Sequence, residues 1–251
     1  MDNILGKGEF PGITVVMLEK GMPGLELGDH GLLWNQCWSA DIKGDRLDMQ
    51  VELDELDVVF NRSLDLHRPG CLRIQYRIVN GNREPLPFIY CMHLLLAGGP
   101  STRFEFPQGQ QRAFLYFGMN LGELTERTWI DWPDSSQTWL HGPFSAGRAT
   151  AAKLFTDRLH RGRTTISHGD HTEKLAVEFD TEKLPSLGIL VMQGLGATAR
   201  PENDFILALE PGSGIGDELE TCRATGTLQS IPANAEFTFT ISLGLESNAN
   251  P

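Results

Sequence analysis

The chain has 251 residues, 33 acidic against 21 basic, and a formal charge of −12. That balance argues against a polyanionic partner, because the densest basic group (Arg158, His160, Arg161, Arg163) is short and flanked by acidic residues. With 40% apolar and 22% charged residues a sizeable core can be buried, and 27 Gly and 14 Pro spread along the chain predict short strands joined by many turns.

No apolar run approaches the length needed to cross a bilayer, and residues 1–7 lack a charged segment followed by an apolar one. The expectation is a cytoplasmic protein with neither a membrane nor a nucleic acid as partner. Cys37, Cys71, Cys91 and Cys222 are scattered without a CxxC pair, which predicts reduced, structural thiols.

Period-two alternation runs through the chain. Leu72, Ile74, Tyr76 and Ile78 face one way while Arg73, Gln75 and Arg77 face the other. Asn80–Pro85 then separates two apolar runs and reads as a hairpin connection. The second run, 86–97, is interrupted by His93. Helical patterning is weak, with 119–127 and 216–223 each able to hold a turn or two. His168-Gly169-Asp170-His171 reads as another hairpin, followed by alternation at Leu175, Val177 and Phe179. An apolar run at 205–209 ends in Glu210, and 232–235 links to a last strand alternating from Phe237 to Leu243. Strands without intervening helices predict an all-β antiparallel sandwich forming one domain over residues 1–251.

Several motifs yield little chemistry. The spacing in 210–216 is wrong for a dinucleotide fingerprint and no long helix follows, so a wide turn is expected. His168 and His171 are the shoulders of a turn without a third ligand nearby, so no metal site is expected. No Gly-x-Ser-x-Gly elbow occurs. Trp129, Trp132 and Trp139 near Asp131 and Asp134 suit either a sugar-binding surface or the cover of a sandwich edge. His93 and Glu210 stand out, because an ionisable group within or closing a buried strand is costly unless it is paired or used.

Taken together, these segments resemble the galactose mutarotase-like family (aldose 1-epimerases and hexose-6-phosphate epimerase relatives). Residues 27–38, Leu-Gly-Asp-His-Gly-Leu-Leu-Trp-Asn-Gln-Cys-Trp, resemble its His-Gly loop leading to a Trp. Residues 72–80 and 85–88, leading into Cys91-Met92-His93, resemble the strand pair that delivers its catalytic His. Residues 205–211 resemble its Glu-Pro motif, and the closing strand pair within 228–245 also agrees. The resemblance spans about residues 10 to 245. It departs from the family pattern at the first arginine, Arg46, which comes after His30, and at Leu94-Leu95-Leu96 where an aromatic is usual.

The resemblance implies an antiparallel β-supersandwich, an open sugar cleft, and catalysis without a metal or organic cofactor. It implies anomer interconversion, with Glu210 as base at the C1 hydroxyl and His93 as acid at the ring oxygen. His30 is then a binding group, with Trp34 and Gln193 as further ones. The implied partner is an aldohexose or a sugar phosphate; the phosphate requires Arg62, Arg73 or Arg77 in the cleft. A sandwich lacking an N-terminal edge strand exposes its neighbour for pairing, so a monomer or a homodimer is expected. The competing expectation is a sugar-binding protein of the same fold without catalysis.

Overall fold

The computed structural model describes residues 32–33, 36–96, 98–144, 149–169, 171–194 and 205–247, together with the backbone of 13–18. In chain order the strands begin with β1 (Ile13–Leu18), β2 (Ser39–Lys43), β3 (Arg46–Leu53), β4 (Val58–Arg68), β5 (Cys71–Asn80) and β6 (Leu86–Leu96). They continue with β7 (Thr102–Glu105), β8 (Arg112–Met119), β9 (Thr128–Asp131), β10 (Thr150–Thr156) and β11 (Arg163–His168). The last are β12 (Glu173–Phe179), β13 (Ser186–Gln193), β14 (Phe205–Gly212), β15 (Gln229–Ile231) and β16 (Glu236–Ser247). Two short helices interrupt them, α1 (Thr138–His141) and α2 (Leu219–Ala224).

The described strands form two antiparallel sheets. One has the order β1-β6-β14-β13-β10-β8-β9, with β15 also on β6. The second has the order β2-β3-β4-β5-β16-β12-β11-β7. They pack face to face, as the alternation predicts, because each strand has one apolar side to bury. Tyr90 and Phe88 of the first sheet meet Tyr76, Phe239 and Phe237 of the second at ring-centroid distances of 4.5 to 5.2 Å. Offset and edge contacts of this kind stabilise beyond their buried area. We call the sheets after their central strands, the β14 sheet and the β5 sheet.

One turn behaves differently from the sequence expectation. The connection after Asn80 is not a hairpin: β5 pairs with β4 and β16, whereas β6 belongs to the other sheet, so 81–85 crosses between layers. The link 232–235 crosses beside it, from β15 back to β16. Asn80 explains the pairing of these crossovers. Its amide nitrogen lies within hydrogen-bond reach of the carbonyls of Glu84, Ile231 and Pro232 at 3.0 to 3.1 Å, and its Oδ1 accepts from the Asn82 amide. Alternation shows that a strand ends, but not which sheet the next one joins. The 168–171 turn does close a hairpin, β11 with β12. Residues 216–223 do yield α2, while 119–127 forms turns only, and the other helix is α1. None of the helices is long and apolar enough to cross a membrane.

Candidate active site

Strand parity determines which side chains meet outside the core. On β6, Phe88, Tyr90, Met92 and Leu94 point between the sheets, which sends Cys91, His93 and Leu95 to the outer face. On β14, Leu207 and Leu209 point inward, so Ala208 and Glu210 share that outer face. The pairs Leu209 with Leu94 and Gly212 with Cys91 set the register, and it brings Glu210 opposite His93. The imidazole Nε2 lies 3.7 Å from Oε1 of Glu210, whose side chain is 0% exposed against 16% for His93. Pro211, without an amide hydrogen, follows Glu210 in the stretch between those two sets of pairs.

The neighbouring strand makes room. Gly188 of β13 pairs with Glu210 on one side and with Phe155 of β10 on the other. A Cβ on Gly188 would lie 3.0 Å from Glu210 Oε2 and 3.0 Å from Phe155, so glycine opens the space the carboxylate occupies. Lys153 of β10 reaches across it. Its Nζ donates to Glu210 Oε2 at 2.9 Å and to Oδ1 of Asp217 at 2.7 Å. The Cys91 thiol lies 3.5 Å from the same Oε2. Among the described residues, Oε1 of Glu210 has no hydrogen-bond partner.

Segment 213–218, between β14 and α2, lies over this face. Ser213 hooks it to β6: its amide donates to the Tyr90 carbonyl at 2.9 Å, and its hydroxyl accepts from the Tyr90 amide at 2.8 Å. Thr227 and Thr225 hold Ile215 from below through its amide and carbonyl. Ile215 then packs on Phe114 and Phe155, and Leu219 and Cys222 pack on Ile89. The wide turn expected after Glu210 is thus a built cover, and β14 itself runs on through Gly212.

Enclosure changes the electrostatics. Burial on its own would strip the Lys153 proton, but the charges of Glu210 and Asp217 outweigh it and hold the ammonium above the ordinary lysine range. Burial raises the Asp217 carboxyl, with repulsion from Glu210 adding to it and Lys153 opposing. Burial, then the Glu210 charge, pushes the Cys91 thiol well up, so it stays neutral and is no nucleophile. Beside the charges the face is apolar: Phe117, Leu190, Ala208 and Leu95 lie in register with Lys153, and Leu95 and Phe117 are each 40% exposed.

The other residues singled out from the sequence do not join this group. His30 and Trp34 lie outside the described residues. Gln193 is buried at the end of β13, between Thr150 and Phe205, and shares its parity with the core residues Leu187, Ile189 and Val191. That is the face opposite Glu210. Arg62 lies in the other sheet, with its guanidinium 4.6 Å over the Trp38 ring. Arg73 and Arg77 are there too, paired with Asp65 and Glu236. The tryptophans cover the sandwich: Trp139 is in the core, Trp132 packs on Phe106 and His141, and Trp129 packs on Phe114 under Arg112. His168 shares a hydrogen bond with Thr102 beside the β11–β12 turn.

Sequence reasoning missed Lys153, Asp217 and Gly188. Lys153 carried the same signal as His93, a single charge inside an apolar run, Ala151 to Phe155. The signals of Asp217 and Gly188 appear only when three strands and a loop are brought together.

No family profile and no curated protein sequence matches the chain. Solved structures do. A protein from Escherichia coli K12 provisionally described as an aldose 1-epimerase is 18% identical, with a TM-score of 0.67 over 93% of this chain and 79% of that one. Slr1438 from Synechocystis sp. PCC 6803 is 16% identical, with a TM-score of 0.65 over 88% and 70%. A galactose mutarotase-like protein from Clostridium acetobutylicum is 11% identical, with a TM-score of 0.64 over 93% and 79%. The fold is therefore that of the galactose mutarotase-like proteins, the antiparallel sandwich expected from the strand pattern.

Proposed function

We propose that this protein interconverts the α and β anomers of a neutral aldohexose by acid–base ring opening. One observation carries the reading: an imidazole and a buried carboxylate sit opposite each other across β6 and β14, 3.7 Å apart. The reaction removes a proton from the anomeric hydroxyl and delivers one to the ring oxygen, breaking the C1–O5 bond. Those two oxygens share one carbon, so two groups this close can each serve one of them. Rotation about C1–C2 presents the other face of the aldehyde, and reclosure reverses both transfers. Glu210, with Oε1 open toward His93, suits the base, and His93 suits the acid. His30, Trp34 and Gln193 remain candidate binding groups, of which Gln193 has the weakest support because it faces the core.

A neutral sugar fits better than a phosphate. Arg62, Arg73 and Arg77, the cations a phosphate would need, belong to the opposite sheet. Among the described residues around Glu210 the cation is Lys153, and two carboxylates already hold it. A second reading, a sugar-binding protein without turnover, draws on the exposed Leu95 beside Ala208, an apolar surface that suits the C–H face of a sugar ring.

NMR magnetisation transfer with glucose, galactose and glucose 6-phosphate separates these readings. Accelerated exchange of a neutral hexose is expected, and Glu210→Gln should lower it by about 10²–10⁴-fold while the fold persists. Saturable binding without acceleration would establish the binding protein instead. Near-normal exchange in Glu210→Gln would remove the mechanism.

A further inference from the structure

We propose that Lys153 is the positioning residue for Glu210: its ammonium clamps one carboxylate oxygen, leaving the other turned to His93 and the substrate, while Asp217 anchors the ammonium. This rests on the acid–base reading of the preceding subsection and assigns a part to two residues that reading does not use.

A carboxylate at 0% exposure loses its hydration and needs a compensating partner. Among the described residues, Glu210 has a hydrogen-bonding partner on one oxygen, Oε2. Oε2 receives the Lys153 Nζ at 2.9 Å and has the Cys91 thiol at 3.5 Å, while Oε1 faces His93 Nε2 at 3.7 Å without a hydrogen bond among the described residues. A base built this way is held by one oxygen and turned to the imidazole by the other.

The route of the clamp is specific. Lys153 and Glu210 lie on strands separated by β13, and the ammonium reaches Oε2 where Gly188 has no side chain. Asp217, on the cover fixed through Ser213 and Ile215, takes the second Nζ bond at 2.7 Å. The lysine is thereby tied at both ends of its reach. A lysine used as base or nucleophile would need its charge removed, and two carboxylates oppose that here.

The groups facing Glu210 are His93 and Cys91 from β6, Lys153 from β10, and Asp217 from the cover. Tyr116 of β8 and Glu218 beside Asp217 form the outer ring, with Glu218 paired to Arg127. Removing the ammonium takes the positive charge off Oε2 and leaves the Asp217 carboxylate nearby, so Glu210 should bind its proton more tightly. Removing the Asp217 charge should do the reverse. The two substitutions therefore move the acid limb of activity in opposite directions, which a merely structural role would not do.

The experiment uses wild type, Lys153→Met and Asp217→Asn. It measures the pH profile of anomer exchange and, independently of activity, the carboxyl ¹³C titration of Glu210, assigned by its loss in Glu210→Gln. In Lys153→Met the acid limb and the Glu210 titration should rise together, with turnover falling more than sugar affinity. In Asp217→Asn both should move down. Titrations that coincide with wild type in either folded variant overturn the proposal, even where activity falls. Should Lys153→Met fail to fold, Asp217→Asn decides alone, and an unmoved or raised Glu210 titration refutes the clamp. Should wild type accelerate no sugar, the anomer-exchange reading fails, while the ¹³C titrations still settle whether Lys153 governs Glu210.

Discussion

The two sheets share one construction, yet they treat charge in opposite ways. The outer face of the β5 sheet carries polar side chains in register, Asp48, Ser63, Gln75 and Thr240 in one row and Gln50, Asn61, Arg77 and Thr238 in the next. These line an open trough of about 790 Å³. Its ion pairs are wet: Arg77 and Glu236 are 52% and 50% exposed. On the β14 sheet the corresponding face is covered by 213–228, and Glu210, Lys153 and His93 are at most 16% exposed. Charges in water interact weakly; enclosed ones must be paired or used. We therefore place the proposed site in the enclosed cluster rather than in the open trough.

The two sheets keep one relation to each other through the paired crossovers, and these meet at Asn80. Asn80→Ala removes the amide that ties the two crossovers and leaves buried carbonyls without donors. A loss of about 3 kcal/mol in unfolding free energy is expected, measured by denaturant titration. A loss below about 1 kcal/mol would show that the crossovers hold without it.

Gly188→Ala sharpens the comparison inside the enclosed cluster. The new methyl would press on Glu210 Oε2 and Phe155 at 3.0 Å and push the carboxylate off Lys153. Anomer exchange should fall by about tenfold to a hundredfold, a displacement effect of the kind that misplaced catalytic groups show. Unchanged exchange would mean the carboxylate tolerates the shift.

A smaller effect appears at alkaline pH. Burial pushes the Cys222 thiol from 9.0 up to about 12. The unfolded chain loses this proton first, so the stability it contributes is present below pH 9.0 and is lost as pH rises toward 12. The slope is at most about 1.4 kcal/mol per pH unit from this group. Melting curves of Cys222→Ala should be flatter over that range, whatever the variant's stability at neutral pH.

The smallest effect is expected on the other sheet. Arg77→Ala breaks an exposed pair and should cost about 0.2–1 kcal/mol, falling further in salt, with anomer exchange untouched. A large loss of exchange there would move the site to the open trough and undo the comparison.

Alternation at Leu72–Ile78, Leu175–Phe179 and Phe237–Leu243 was enough to give strands, their buried faces and an all-β sandwich. The reason is local, since a period of two directly encodes one buried side. The same logic made His93 and Glu210 conspicuous, each being ionisable in an apolar strand. It could not say that they meet, because that depends on the register of β6 against β14. Nor could it show that Gln193 faces the core, which needed the parity of β13, or that Arg62 lies in the other sheet, which needed the sheet assignment. Asn80–Pro85 looked like a hairpin because turn chemistry specifies a change of direction and is silent about layer. Lys153, Gly188 and Asp217 became a unit only through tertiary structure. A long side chain crossing an absent one to reach a carboxylate on a distant loop is a three-body relation, and no spacing along the chain encodes it.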